Sequence, residues 1–178
     1  MTAGTIDHET GTRDMRRING LYRFMPRTAL LAMVATAAMA GVPLLNGFLS
    51  KEMFFAETVH LSGLTPVALL LPAAATLASV FSVAYSARFI HDVFFNGEPV
   101  NLPRYPPHDA PRLMRLPLVI LVAHCLIVGI LPGLTVAPFL RLAAASVLGS
   151  PLPAFALALW HGFNLPLLMS ATALILGI

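Results

Sequence analysis

The sequence predicts an all-α polytopic membrane protein with about four transmembrane crossings, one of them a broken helix. Its 178 residues are 57% hydrophobic and only 11% charged, and the mean hydropathy is +0.80, whereas a soluble domain usually carries about 25% charged residues. The chain also contains long apolar stretches, and a Gly- and Pro-containing break interrupts the first of them. After a charged segment at 1–27, the stretches cover 28–61, 66–95, 113–134 and 152–177.

The distribution of basic residues indicates membrane topology rather than nucleic-acid binding. The net charge is +3, but the arginines flank apolar runs instead of forming one patch. The N-terminal segment has five arginines, the turn at 62–66 has none, the loop at 96–115 has three and the segment at 135–151 has one. By the positive-inside rule this alternation predicts a cytoplasmic N-terminal loop, with the broken helix counted as one crossing.

The sequence carries no pattern that predicts a metal or a cofactor. Its one cysteine, Cys125, lies inside an apolar run and excludes an internal disulfide and a multi-cysteine metal site. Zinc-ligand spacings, phosphate-binding loops, catalytic triads and haem motifs are absent from the sequence. We therefore expect no metal and no cofactor.

The first crossing is predicted as two half-helices separated by a break. Pro26 suits the first turn of a helix, because the N–H that it lacks would have no intrahelical partner there. The first half then runs over about 27–40. Gly41 is suited to the left-handed position after a helix, and Pro43 stops the helix shortly afterwards. A second half-helix follows over about 48–61.

The other elements follow from prolines and apolar runs. The N-terminal segment is expected to be a charged loop with a short surface helix at 14–21. A helix is predicted over about 67–95. The loop at 96–115 contains five prolines and cannot be helical throughout. A short interfacial helix is predicted at 135–150, before the last crossing.

Lys51 is the leading candidate for chemistry, because it places an amine at membrane depth beside the helix break. Ionisable residues at that depth are costly and by default mark a functional site. Burial and the positive end of the second half-helix both disfavour the charged amine, whereas a carboxylate of Glu52 or Glu57 would favour it. A lysine balanced in this way can exchange a proton near neutral pH. Alternatively, Lys51 snorkels to an interface or pairs with Glu52.

Further polar residues are candidate members of a proton path. Glu57 and His60 follow about two turns later and could continue a path toward the outer face, unless they already lie at the interface. His124 lies in the middle of the third crossing, and His161 and Asn164 are three residues apart on one face of the fourth. Histidine titrates near physiological pH and serves in proton relays. The alternative for each is a hydrogen-bonded packing residue.

Four segments resemble the large A subunit of Mrp-type multisubunit Na⁺(K⁺)/H⁺ antiporters. The His-Glu-Thr-Gly-Thr-Arg-Asp loop is the most specific of them. The Gly-x-Pro and Gly-Phe-x-Ser-Lys pattern is also similar to the antiporter-like subunits of respiratory complex I. The segments are Ile6–Asp14, Met25–Ala29, Ala40–Glu52 and Leu159–Asn164.

The resemblance implies that Lys51 matches the broken-helix lysine of the family's proton-transfer axis, with Gly41, Pro43 and Gly47 framing the break. It implies a multi-pass secondary transporter subunit of the bacterial inner membrane rather than an enzyme. Its partners would be other hydrophobic antiporter subunits, the lipid bilayer, protons and Na⁺ or K⁺, and not nucleic acid. The family often has a second proline where this chain has Leu44, which we expect to change the stiffness of the loop more than its chemistry.

The resemblance also leaves alternatives open. Family subunits have many more helices, so we expect the chain to be a fragment that does not transport alone. The main alternative function is a proton-pumping subunit of an oxidoreductase of the complex I or membrane hydrogenase type. A third hypothesis is a structural helical bundle in which Lys51 is salt-bridged and unreactive.

Overall fold

The computed structural model describes residues 1–62, 69–148, 157 and 162–178, and these residues are all-helical or irregular. The prediction of an all-α polytopic membrane protein is confirmed. A 3₁₀ turn occupies Leu21–Arg23, and a π-helical turn at His91–Phe95 extends α4. The α-helices are α1 (Thr2–Thr10), α2 (Pro26–Ala40), α3 (Asn46–Ser62), α4 (Leu70–Ile90), α5 (Arg112–Ile130), α6 (Pro132–Thr135), α7 (Ala137–Leu148) and α8 (Leu165–Gly177).

Two of the described helices are long and apolar enough to cross a membrane. They are Leu70–Phe95 with a mean hydropathy of 1.5 and Arg112–Ile130 with 2.3. Shorter apolar helices are α2, α7 and α8. With 15 residues, α2 extends for only about 22 Å and is too short to cross a core of about 30 Å alone. Its partner across the break is α3.

The N-terminal segment contains a helix, but not where the sequence predicted it. The helix is α1, which ends at the left-handed Gly11 (φ 73°), while the predicted surface helix at 14–21 is a turn. The carboxylate of Asp14 accepts the backbone N–H of Arg16 at 3.1 Å and is bound by its guanidinium. Such local bonds compete with helix formation. The Arg16 hydrogen bonds hold the pKa of Asp14 below its usual value.

The proline-containing loop before α5 folds back and fixes the start of α2. Asp109 accepts the backbone N–H of Thr28 at 3.1 Å, its hydroxyl at 3.0 Å and the N–H of Arg27 at 3.3 Å. These are the bonds that an N-cap side chain normally makes, supplied here from a distant segment. Next to it, His108 contacts the buried carboxylate of Glu9 at 2.8 Å. The loop therefore joins α1 to α2.

Small residues let α4 and α8 pack closely. A Cβ atom on Gly177 would lie 2.5 Å from the Cβ of Val83, so the two helix backbones approach as glycine allows in membrane bundles. Ser79 and Ser86 of α4 are buried. A small core joins α3, α4 and α8 through Phe55, Ala75 and Met169.

Candidate functional site

The break between α2 and α3 begins with a glycine-terminated helix end. Gly41 adopts φ 84°, and its N–H donates to the Ala38 carbonyl at 3.1 Å. The N–H of Val42 donates to the Ala37 carbonyl at 3.0 Å. This is the Schellman arrangement, which needs a residue that tolerates positive φ. Gly41 therefore ends α2 in a left-handed conformation, as the sequence predicts, and the break follows it.

A tight turn carries the chain from this helix end into α3. The N–H of Leu45 donates to the Val42 carbonyl at 3.3 Å, so Pro43 and Leu44 are the two central residues of the turn. Leu44 adopts φ 73°. Proline followed by a residue at positive φ is the pattern of a type II turn. The next residue after the turn, Asn46, begins α3.

Lys51 reaches back across the break and binds the end of α2. Its Nζ donates to the Ala40 carbonyl oxygen at 2.8 Å and to the hydroxyl of Ser82 at 3.5 Å. The hydroxyl of Ser82 in turn donates to the Met39 carbonyl at 3.4 Å. The last four carbonyls of a helix have no intrahelical partner, and in α2 backbone N–H groups satisfy two of them while the lysine and the serine satisfy the other two.

Two helix termini act on Lys51 in opposite directions. The C-terminus of α2 carries a partial negative charge that favours the ammonium form, whereas the N-terminus of α3 carries a partial positive charge that disfavours it. The sequence predicted the second effect but not the first, because the Ala40 contact depends on how the half-helices pack. The half-buried Lys51 is held at the break by its bond to the Ala40 carbonyl.

Three glycines leave room for close contacts at the break. A Cβ on Gly41 would lie 2.7 Å from Cδ of Lys51, and a Cβ on Gly47 would lie 1.7 Å from the Ala38 carbonyl oxygen. From α5, a Cβ on Gly129 would lie 2.2 Å from the Leu44 carbonyl oxygen. Sequence reasoning missed Gly129, although a glycine within an apolar helix is a signal of close packing.

The acidic and histidine candidates on α3 lie on different faces. Glu52 is buried at 6% exposure, whereas Glu57 and His60 are exposed. Nine residues rotate a helix by about 900°, or about half a turn net, so His60 lies on the side of α3 opposite Lys51. Thr58, seven residues after the lysine, shares its face and is buried. Sequence reasoning did not single out this threonine.

The remaining candidates make hydrogen bonds within or at the start of their own helices. His124 is exposed on α5, and its Nδ1 donates to the Ile120 carbonyl at 2.8 Å. Asn164 caps α8 by accepting the Leu167 N–H at 2.9 Å. His161 lies outside the described residues. Within the described ranges, no group of three or more His, Cys, Asp or Glu residues could hold a metal ion.

A half-buried lysine binds a backbone carbonyl and a serine hydroxyl where two half-helices meet, and this arrangement is typical of one class of membrane protein. Discontinuous helices of this kind form the ion-binding regions of membrane transporters, where unwound carbonyls and helix ends face the site. Ionisable side chains at such positions are expensive and functional by default. The fold and the site therefore place the chain among transporter-type membrane proteins.

Residues 1–88 match the model of a family described as NADH:quinone oxidoreductase/Mrp antiporter, transmembrane. The chain is 58% identical to a probable K(+)/H(+) antiporter A/B subunit of Rhizobium meliloti over 178 residues, which are 100% of this chain and 18% of the relative. It is 35% identical to the A subunit of a Na(+)/H(+) antiporter of Bacillus subtilis, over 99% of this chain and 23% of the relative.

A solved structure shows the same relationship. The chain matches the Mrp complex from Dietzia sp. DQ12-45-1b with a TM-score of 0.80 and 35% identity, over 99% of this chain and 18% of the matched chain. The resemblance to the A subunit of Mrp-type antiporters is thereby confirmed. The chain spans 18% to 23% of the length of these relatives.

Proposed function

We propose that the chain forms part of the A subunit of a monovalent cation/proton antiporter and that Lys51 is a proton-transfer group within it. The observation that carries this proposal is the bond from Lys51 to the Ala40 carbonyl at 2.8 Å inside the helix break. The names of the relatives support the antiport activity, and the cation is Na⁺ or K⁺. The protein transports ions and catalyses no chemical conversion.

The lysine works by changing its charge at a fixed position. In the protonated form, the ammonium is held by Ala40 and Ser82 at the negative end of α2. When a proton leaves to water in a hydrated polar axis, the charge is lost, and the bond to the carbonyl weakens because charge-assisted hydrogen bonds are the stronger kind. Return of a proton restores the first state. Each change alters the field at neighbouring ion sites.

The other candidate residues contribute to this proton path beside the lysine and at the surface of the chain. Buried Glu52 lies next to the lysine along α3. The exposed Glu57, His60 and His124 face lipid or neighbouring subunits and enter the path where another protein of the complex covers them. Asn164 lies at the start of α8, and His161 remains a candidate from the sequence, outside the described residues. The partners are other hydrophobic antiporter subunits in the bacterial inner membrane, with the N-terminal loop in the cytoplasm.

The test compares two substitutions of Lys51 in the complete antiporter complex. Everted membrane vesicles are loaded with a pH-sensitive dye, and exchange is started by adding Na⁺ or K⁺. Lys51→Ala is expected to abolish exchange while the complex still assembles. Lys51→Arg keeps the charge, but arginine does not release its proton in proteins, so exchange is also expected to fall to background. Exchange at the unmodified rate in Lys51→Arg would rule out proton transfer by this residue.

The second candidate is a redox-driven proton pump. The family model that matches residues 1–88 also describes NADH:quinone oxidoreductase, and this observation keeps the candidate open. The two functions differ in their driving force. Cation-driven proton movement in vesicles without NADH supports antiport, whereas proton movement that needs NADH and a quinone supports the pump.

A further inference from the structure

Two neighbouring cavities lie at the arginine-bearing end of α4. The first has a volume of about 410 Å³ and is lined by polar groups from the N-terminal segment and from α4, including Arg16, Asn19 and Arg88. The second is equally large, about 410 Å³, and is lined mainly by apolar residues of the N-terminal segment and α4. Met15, Tyr85 and Phe89 line both.

The arginines of the first cavity have donors available for a further partner. The side chain of Arg88 is 80% exposed and its Nε makes one bond, at 3.2 Å, to Asp92 in the same cavity. The side chain of Arg16 is 89% exposed and bonds Asp14 through Nε and one Nη. A guanidinium has five N–H donors, and exposed ion pairs contribute little. An anion could therefore be added without breaking a strong interaction.

The position of the cavities fits the headgroup region of a bilayer. Both adjoin the last turns of Leu70–Phe95, which is long and apolar enough to cross a membrane. Tyr85 is 61% exposed, and tyrosine is enriched where an apolar body meets a polar interface. Basic pockets between transmembrane helices bind anionic headgroups.

We propose that the two cavities together bind one anionic glycerophospholipid. Its phosphate lies between Arg16 and Arg88, and the amide of Asn19 contacts the polar headgroup. One acyl chain passes Tyr85 and Phe89 and enters the apolar cavity. Free phosphate would use only the first cavity, so the apolar second cavity favours a lipid as the source of the anion.

The test measures lipid binding to the delipidated antiporter complex that contains the full-length protein. Phosphatidylglycerol or phosphatidylcholine is added back in detergent, and bound lipid is counted by native mass spectrometry. Arg16→Gln with Arg88→Gln is expected to weaken phosphatidylglycerol binding about 25-fold, because each basic residue at an anionic surface contributes about 1 kcal/mol, a factor of about five. Arg23→Gln is the matched control, since Arg23 is also 80% exposed, pairs with Glu98 and lies outside the described lining of both cavities.

Three results would overturn the proposal. The first is equal binding of phosphatidylglycerol by the unmodified protein and the double variant. The second is the same loss in Arg23→Gln, which would indicate a general effect of surface charge. The third is binding of inorganic phosphate with the same arginine dependence but no preference for phosphatidylglycerol over phosphatidylcholine. Retained binding in Arg88→Lys, with partial loss in Arg88→Gln, would support the role of the charge.

Discussion

The aliphatic stem of Lys51 lies directly over the Cα of Gly41, so that a Cβ at position 41 would sit 2.7 Å from Cδ of the lysine. The glycine therefore has two tasks. It provides the positive φ of 84° that ends α2, and it leaves the space through which Lys51 reaches the Ala40 carbonyl. The helix end and the position of the amine depend on the same residue.

Gly41→Ala is expected to lower both stability and exchange. A non-glycine residue in the left-handed region costs about 1–2 kcal/mol, and the added methyl pushes the lysine stem away from its acceptor. The measurements are thermal unfolding of the purified complex and cation-driven exchange in vesicles. Gly4→Ala is the control, because a Cβ there meets nothing within 4 Å. Unchanged cation-driven exchange in Gly41→Ala would show that Lys51 does not need the space over Gly41 to function.

Ser82→Ala is expected to reduce exchange about fivefold without preventing assembly. The serine makes two long hydrogen bonds, to Lys51 and to the Met39 carbonyl, and the net value of one such bond is about 1 kcal/mol. Its loss leaves the Ala40 bond as the main restraint on the amine. Ser146→Ala is the matched control, because that hydroxyl bonds only its own helix at Ala143. An equal decrease in both variants would contradict a role for Ser82 at the site.

The break could be predicted from the sequence, but the partners of the lysine could not. Gly41 and Pro43 are local signals, and they predicted the end of α2 correctly. The bonds of Lys51 to Ala40 and to Ser82 join residues 11 and 31 positions apart, so they follow from the packing of α2, α3 and α4. Local signals also failed at α1, whose polar sequence has no apolar periodicity to mark a helix.

Gly129→Ala is expected to destabilise the complex by about 1–3 kcal/mol, the usual cost of overpacking. The new Cβ would lie 2.2 Å from the Leu44 carbonyl oxygen and 2.7 Å from the backbone of Leu45, and a backbone turn cannot yield as a flexible side chain does. Thermal unfolding and the yield of assembled complex report the effect. Gly133→Ala is the control, because its nearest contact would be an ordinary 3.9 Å. Equal stability of the two variants would disprove a tight contact between α5 and the break.

Asp109→Ala is expected to destabilise the start of α2 by about 1 kcal/mol, as loss of an N-cap does. The carboxylate accepts two backbone N–H groups and the Thr28 hydroxyl, and alanine leaves all three without this acceptor. Hydrogen exchange of the amides in the first turn of α2 is the direct measurement. Asp109→Asn keeps an oxygen acceptor and should protect these amides better. Identical hydrogen-exchange rates of these amides in Asp109→Ala and Asp109→Asn would argue against capping.

Leu44 provides the sharpest test of the turn, because proline and glycine should act there in opposite directions. The residue adopts φ 73°, which glycine accepts without cost, whereas the proline ring fixes φ near −65°. Leu44→Gly is expected to keep the turn and to remain assembled.

Leu44→Pro cannot form this turn and is expected to displace the backbone that packs against Gly129. The free energy of unfolding should fall by about 1–3 kcal/mol, as for other residues held in the wrong backbone region. Ion exchange should also decrease, because the same segment positions α3 and Lys51. Thermal unfolding of the complex and cation-driven proton exchange in vesicles are compared in both variants. If Leu44→Pro were as stable and active as Leu44→Gly, the positive φ at this position would not be needed.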